Sequence, residues 1–318
     1  MTEVIIKTND ADQRFDRFLR KAYPKLSLSK IQKLIRTGRI KLNGKKVKND
    51  QRLILNDKIQ LYVSLEYISA NPNTKDFKLS NPNINIVYED ENLLVVNKPR
   101  GVVVHIDESK TPRTLINQIL HYLYLKHAYD PDAEQSFVPT LLHRIDMNTV
   151  GLVMCAKNAA TARILMEKIK QHEVDKYYWC KVYGKVQPPH RILKDYWTRS
   201  EISKTFTITK NPIKASSALV VTEYQLIKYQ NGISTLEIKL VTGKTHQIRA
   251  HLNFIGHPLL GEKKYTTSSF KDTYPSQYLI AYKITFNFKS DAGILNYLKG
   301  KTIKIDHPEK YLYPLLSY

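Results

Sequence analysis

Four strand-like stretches constrain this chain more than anything else in it: LLVVNKP at 93–99, TVGLVMCAK at 149–157, KYYWCKVYG at 176–184 and STLEIKLV at 234–241. The last two alternate apolar and polar residues, the period of a strand with two unlike faces. INIVYED followed by LLVVNKP predicts a strand pair ended by Pro99 and Gly101, and GLVMCA predicts a buried strand fed by a polar loop. Helical spacing separates these strands. Residues 113–127 predict one helix, and residues 158–172 a second, with Ala162, Leu165, Met166 and Ile169 on one face. The turn TGK leads into a third helix, THQIRAHLNFIG, closed by Gly256. The expected class is α+β, a catalytic-size domain over 84–318 built on a mostly antiparallel mixed sheet. Residues 286–318 carry little chemistry and are expected to complete that sheet.

The first 66 residues read differently. Residues 1–65 hold 16 Lys/Arg against 6 Asp/Glu, close to half of the whole chain's excess of +21. Cationic charge on this scale attracts polyanions by counterion release, and its concentration in one block points to a dedicated nucleic-acid module rather than diffuse solubility charge. Phe15, Phe18, Leu19 and Ala22 mark a helix over 12–22. Ile31, Leu34 and Ile35 mark a second over 29–37, stopped by Gly38, and Lys30, Lys33 and Arg36 recur away from its apolar stripe. RIKLNGKKV, from Arg39 to Val47, predicts a hairpin about Asn43-Gly44, and Lys58–Val63 a further strand. RFDRFL, the basic second helix and GRIKLNGKKV resemble the small RNA-binding domain first described in the fourth protein of the small ribosomal subunit. Residues 67–83, rich in Asn, Ser and Pro, read as a linker.

Composition excludes several classes. A hydrophobic fraction of 42% suits a packed protein. No apolar run reaches the ~18–20 residues of a membrane span, and MTEVIIKTNDADQR lacks the layout of a secretory signal. The expectation is a cytoplasmic protein with no membrane partner. Two cysteines, Cys155 and Cys180, lie within apolar strand patterns and read as core thiols. There is no phosphate-cradling glycine loop and no Gly-x-Ser-x-Gly elbow, so neither a nucleotide cofactor nor serine hydrolysis is indicated.

Two places can carry chemistry. Asp146, in HRID, sits on a loop that feeds a buried strand, with His143 and Arg144 beside it as cationic or potentially cationic flanks. Such a loop aspartate is either a turn or cap residue or a reactive carboxylate held near a phosphate chain. In GKTHQIRAH, His246 and Arg249 fall three apart on one helix face, able to hold a phosphate, pair with a carboxylate or simply face water. His246, His251 and His257 are spaced by five and six, unlike helical zinc ligands, so no metal is expected. In KYYW, Tyr177 and Trp179 share one strand face and Tyr178 takes the other, for core packing or for stacking a base.

VVNKPRGVVVH, HRIDMNTVGLVMCAK, KYYWCKVYG and GKTHQIRAHLNFIGHPLLGEKKY, in that order, resemble the RluA family of pseudouridine synthases over residues 84–285. With the N-terminal block the layout is similar to the RluC/RluD type, which acts on large-subunit ribosomal RNA. The resemblance implies a pseudouridine synthase fold, an isomerase needing no cofactor, and ribosomal RNA or a pre-ribosomal particle as partner; with nothing resembling a coiled coil, a monomer is expected. It implies Asp146 as the catalytic aspartate, Tyr178 as the tyrosine packed against the target base and Arg249 as the arginine paired with the aspartate. RNA contacts are expected from Arg144, His143, Lys98, His105, Lys244, His246 and Gln247, and in the small domain from Lys30, Lys33, Arg36 and Arg39. Ile145, Val150 and Lys244 depart from the family's usual Leu, Ser and Arg, and the last loses a forked donor. The competing readings are a non-catalytic ribosome-assembly factor on the same fold and a synthase acting on tRNA.

Overall fold

The computed structural model describes residues 1–63, 75–105, 113–132, 135–200, 205–266 and 274–311. The chain begins with β1 (Thr2–Ile5), then α1 (Phe15–Ala22), α2 (Leu28–Arg36), β2 (Ile40–Leu42) and β3 (Lys58–Leu61). These make a three-stranded antiparallel sheet in the order β1-β3-β2 with both helices packed on it. Phe15, Phe18 and Leu19 of α1, Ile31 and Ile35 of α2 and Ile59 and Leu61 of β3 form one buried core. Ser27 caps α2 by accepting from the Lys30 amide, and Gly38, at φ +73°, ends it.

Two expectations need correction here. The first helix begins at Phe15, not residue 12: Asp12 has φ +67° and its amide donates to the Leu53 carbonyl, so the chain is committed to a loop there. The turn at Asn43-Gly44 forms, with φ of 50° and 76°, but its return arm makes only the bridge Leu42↔Lys45. Beyond it β3 takes over the pairing with β2, because Ile59 and Leu61 reach the core and Lys45 and Lys46 do not. Strand β1 was unforeseen.

The larger domain follows as β4 (Ile86–Glu89), β5 (Leu93–Lys98), α3 (Leu115–Leu125), β6 (Thr140–Leu141), β7 (Val150–Ala156), α4 (Ala159–Lys170) and β8 (Val174–Tyr183). Then come β9 (His190–Arg199), β10 (Phe206–Thr209), β11 (Ala218–Gln230), β12 (Ile233–Leu240), α5 (Gln247–Phe254), β13 (Leu279–Phe286) and β14 (Thr302–Lys304). The strands make one eleven-stranded sheet in the order β10-β9-β11-β12-β8-β13-β7-β5-β4, with β14 on β13 and β6 on β7. Among the described pairs β7 and β13 alone run parallel. At their contact Gly151, φ +121°, lies against Ala281, where a Cβ would stand 2.2 Å from the carbonyl oxygen.

Strand alternation divides the core into two layers. Leu94, Val96, Val153, Cys155, Tyr178 and Cys180 meet α3 and α5 on one face. Leu93, Val95, Leu152, Met154 and Ile280 meet α4 and the short 3-10 helix Gly293–Leu298 on the other. Both cysteines are buried and burial pushes their thiols up, Cys155 to about 12. The C-terminal segment contributes β14 to the sheet as expected, residues 312–318 lying outside the described ones.

The expected linker is shorter than the sequence suggested. Lys75–Leu79 is a 3-10 helix, and Phe77, 4% exposed, packs against the rings of Tyr124 and Tyr129 at 5.9 and 6.0 Å. Residues 75–83 therefore belong to the larger domain; 67–74, and the expected boundary at 66, lie outside the described residues. The domains also touch directly. Buried Asp10 accepts from Ser136 Oγ at 2.6 Å and the Phe137 amide at 2.8 Å. Met166 is another correction, for it is exposed while Ile164 takes the expected place in the core. No described helix is long and apolar enough to cross a membrane.

Candidate active site

A cleft of about 360 Å³ opens where the β6–β7 loop, the middle of β8 and the start of α5 converge. Asp146 stands on that loop. Its neighbourhood is pinned from below by Lys98, which is fully buried and donates from Nζ to the carbonyls of Pro99, Val102 and Met147 at 2.8–2.9 Å. The Gly101 amide also donates to Met147 and the Thr149 amide to Asp146 O, so the backbone around the carboxylate is tied on both sides.

Arg249 approaches from α5. Its NH1 donates to Asp146 Oδ2 at 3.0 Å, while Nε and NH2 grip Glu262 at 2.7 and 2.8 Å. The forked guanidinium thus serves two carboxylates: it is anchored on Glu262, 4% exposed, and presents its remaining edge to Asp146. Burial works against the charge on Arg249, yet Glu262 and Asp146 raise its pKa. Burial likewise disfavours the Glu262 carboxylate, and the hydrogen bonds from Arg249 hold its pKa below the usual range. Paired in this way, the buried charges are stable where either alone would be costly.

His246 closes another side, Nε2 lying 3.6 Å from Asp146 Oδ2 and Nδ1 2.8 Å from the Tyr265 hydroxyl. It sits just ahead of α5 with φ +56°, not inside the helix as expected, yet still shares the cleft with Arg249. Burial brings its pKa down to about 4 against the pull of Asp146, so the ring is neutral near pH 7. Tyr178, 5% exposed, forms part of the cleft wall, and burial followed by the charge of Asp146 raises its phenol pKa. Arg144 and Lys244 line the mouth and are exposed. His105 is exposed too; partial desolvation and the charge of Arg144 lower its pKa.

Three residues expected to touch RNA make their hydrogen bonds within the protein, although His143 and Gln247 also line the cleft. Lys98 is buried, and burial lowers its pKa to about 7 although Asp146 pulls the other way. His143 accepts from the Met154 amide through Nε2 at 3.2 Å, and burial, aided by Lys176, pushes its pKa to about 3, so it is no cation. Gln247 is 2% exposed, its amide donating to Val221 O and Thr222 Oγ1 and accepting from Thr242 Oγ1 and the Lys244 amide. In the small domain Lys33, Arg36 and Arg39 are exposed and Lys30 is half-buried. The three helix-end histidines diverge: His251 is held by Asp195 and Thr222, and His257 by the Tyr183 carbonyl.

Glu262 and Tyr265 were not singled out by the sequence, although both lie within GEKKY at the end of the fourth motif. Missed as well were Trp197 and Phe206, stacked at 4.7 Å, with Phe206 edge-on to His246 at 5.5 Å. These lie on β9 and β10, where the sequence reading placed no motif. Together they add an aromatic flank to a cationic cleft, a combination suited to a stacked base and its phosphate.

A family model described as RNA pseudouridylate synthase matches residues 92–254, and the S4 domain model matches residues 13–59. A Mycoplasma capricolum protein named as an uncharacterized RNA pseudouridine synthase is 34% identical over 324 residues, 97% of this chain and 98% of its own. Ribosomal large subunit pseudouridine synthase D of Buchnera aphidicola is 30% identical, covering 82% of this chain and 77% of that one. Human RNA pseudouridylate synthase domain containing 1 shares the fold, with a TM-score of 0.54 at 23% identity over 70% of this chain and 83% of the human one. Fold, motifs and relatives agree: the chain belongs to the RNA pseudouridine synthase family and carries an S4 domain ahead of the catalytic fold.

Proposed function

We propose that this RNA pseudouridine synthase modifies uridines of large-subunit ribosomal RNA, with Asp146 as the catalytic carboxylate, Tyr178 against the target base and Arg249 positioning the carboxylate. The target class is supported by relatives named for that subunit at about 30% identity and by the S4 domain with its exposed Lys33, Arg36 and Arg39. The observation that carries the assignment of roles is the clamp Glu262–Arg249–Asp146 at the wall of a cationic cleft.

The reaction breaks the bond from uracil N1 to the sugar C1′, turns the base and forms a bond from C5 to C1′. The C5 hydrogen leaves as a proton and N1 gains one, so atoms and charge balance without an oxidant. Asp146 serves either as nucleophile or as the base that removes a sugar proton, and both routes need a carboxylate aimed at the sugar. A charge-assisted bond of about 1.5–3 kcal/mol from Arg249 supplies that aim. Extruding the uridine costs a few kcal/mol, which the aromatic wall offsets in part.

Tritium release from ribosomal RNA labelled at uracil C5 tests the assignment. The wild type should release tritium and Asp146→Asn should not, with RNA affinity retained; turnover by the variant would refute the role of Asp146. Mapping pseudouridine in cells with and without the protein tests the target. Sites lost only from tRNA would overturn the ribosomal assignment.

A further inference from the structure

The two domains enclose a groove that none of this chemistry uses. It measures about 1020 Å³ and runs between α1 of the S4 domain and α4 of the catalytic domain. Arg17, Arg20 and Lys21 line one wall, Arg163 and Lys170 the other. Arg17, Arg20 and Lys170 are exposed and form no salt bridge with a described residue. The acids on the lining are already occupied: Asp12 is paired with Arg163 and Arg52, and Glu167 accepts from Gln171. Between the cationic walls the surface is apolar, with Met166 49% and Val138 36% exposed.

The walls are held at a set spacing. Besides the bonds of Asp10 to Ser136 and Phe137, Gln13 Nε2 donates to Ser136 Oγ at 2.8 Å, and Gln135 Nε2 donates across the interface to the Ile5 carbonyl at 2.7 Å. Groove and cleft both border helix α4. Arg163, Met166 and Lys170 of α4 line the groove, while Ile169 at the end of the same helix lines the cleft, about 9 Å from Arg163 at 1.5 Å per residue.

We propose that this groove holds a single-stranded segment of the RNA substrate beside the target uridine, its phosphates along the two cationic walls and its bases toward Met166 and Val138. Cations on both sides of an apolar strip match one strand with its backbone and base faces separated, whereas an RNA duplex is read across a wide shallow surface. The inference rests on the chain acting on RNA and on nothing about which RNA.

The test is binding of the full-length chain to a fluorescent single-stranded 30-mer oligouridine, titrated at several salt concentrations, with an RNA duplex as the comparison probe. Arg20→Glu with Lys170→Glu should weaken the single strand about tenfold or more and flatten the plot of log affinity against log salt by about 1.4, some 0.7 for each lost phosphate contact. The duplex should be affected less. Arg20→Ala with Lys170→Ala, which removes the charges without reversing them, should give the same change in slope. If variants that melt like the wild type keep the wild-type slope, or if an acidic peptide but not RNA loses affinity, the proposal is overturned. Absence of pseudouridine in large-subunit RNA would refute the target assignment without touching this result, because oligouridine binding does not depend on it.

Discussion

Helix α5 carries two ion clusters, and their difference separates a site from a strut. Arg249 and His251 are two residues apart, about 200° around the helix, so they face opposite ways. Arg249 joins Asp146 and Glu262; His251 joins Asp195, which Lys210 also grips at 2.7 Å. Both clusters set a carboxylate against a buried nitrogen. In the His251 pair both side chains are fully buried, whereas the Asp146 side chain keeps 22% of its surface open, into a cleft. A fully enclosed carboxylate can only hold the fold together. One with an open edge can meet a substrate.

Exchanging the two carboxylates for amides gives the widest separation. Asp146→Asn should lose turnover by at least about a thousandfold while melting near the wild type. Asp195→Asn should do the reverse, costing about 3 kcal/mol in denaturant unfolding with turnover per folded molecule kept. Loss of turnover in both would mean that the enclosed cluster also steers the cleft. Glu262→Gln sharpens the contrast from within the open cluster. Arg249 would lose its ionic anchor, and turnover should fall about tenfold, with RNA affinity held.

Smaller effects test residues expected at the RNA surface whose hydrogen bonds are made within the protein. Gln247→Ala should cost about 1–3 kcal/mol of stability and leave the RNA affinity of the folded protein unchanged, since its amide is already bonded to Val221, Thr222, Thr242 and Lys244. A loss of RNA affinity in the folded variant would return Gln247 to the RNA surface. His143 concerns pH. Its folded pKa, about 3, lies below the ordinary 6.5, so its contribution to stability is complete above about pH 6.5 and is lost as pH falls toward 3. The melting temperature of His143→Gln should therefore fall less than that of the wild type between pH 7 and pH 4. Parallel curves would mean that the ring takes up its proton without unfolding.

Five strands of the large sheet, β4, β5, β7, β8 and β12, were legible because they announce themselves locally, whereas β9, β10, β11 and β13 were not read from the sequence. Leu93 to Val96 and Leu152 to Cys155 are apolar throughout, and Tyr178, Cys180 and Val182 alternate. What escaped depends on distant partners. Strand β1 has a weak pattern of its own and exists because β3 offers an edge. Phe77 looked like linker because its partners, Tyr124 and Tyr129, lie some fifty residues away. The same reason divides the site. Asp146 and Arg249 were recognisable within motifs, whereas Glu262 matters only through its grip on Arg249 and Gln247 only through a backbone it cannot see in sequence. Lys98 was misjudged for that reason too: a lysine's charge is visible in sequence, but the carbonyls that swallow it are not.

Gly151 carries a consequence for anyone who mutates this chain at random. It follows the loop of Asp146 and presses against Ala281 from across a parallel pair, where no larger residue fits. A replacement would pry the two strands apart and shift the carboxylate with them. A screen scored on product alone would then rank Gly151 beside the residues of the cleft, though it is not among those that line it. Scoring protein abundance alongside product would tell such a hinge pin from a reagent.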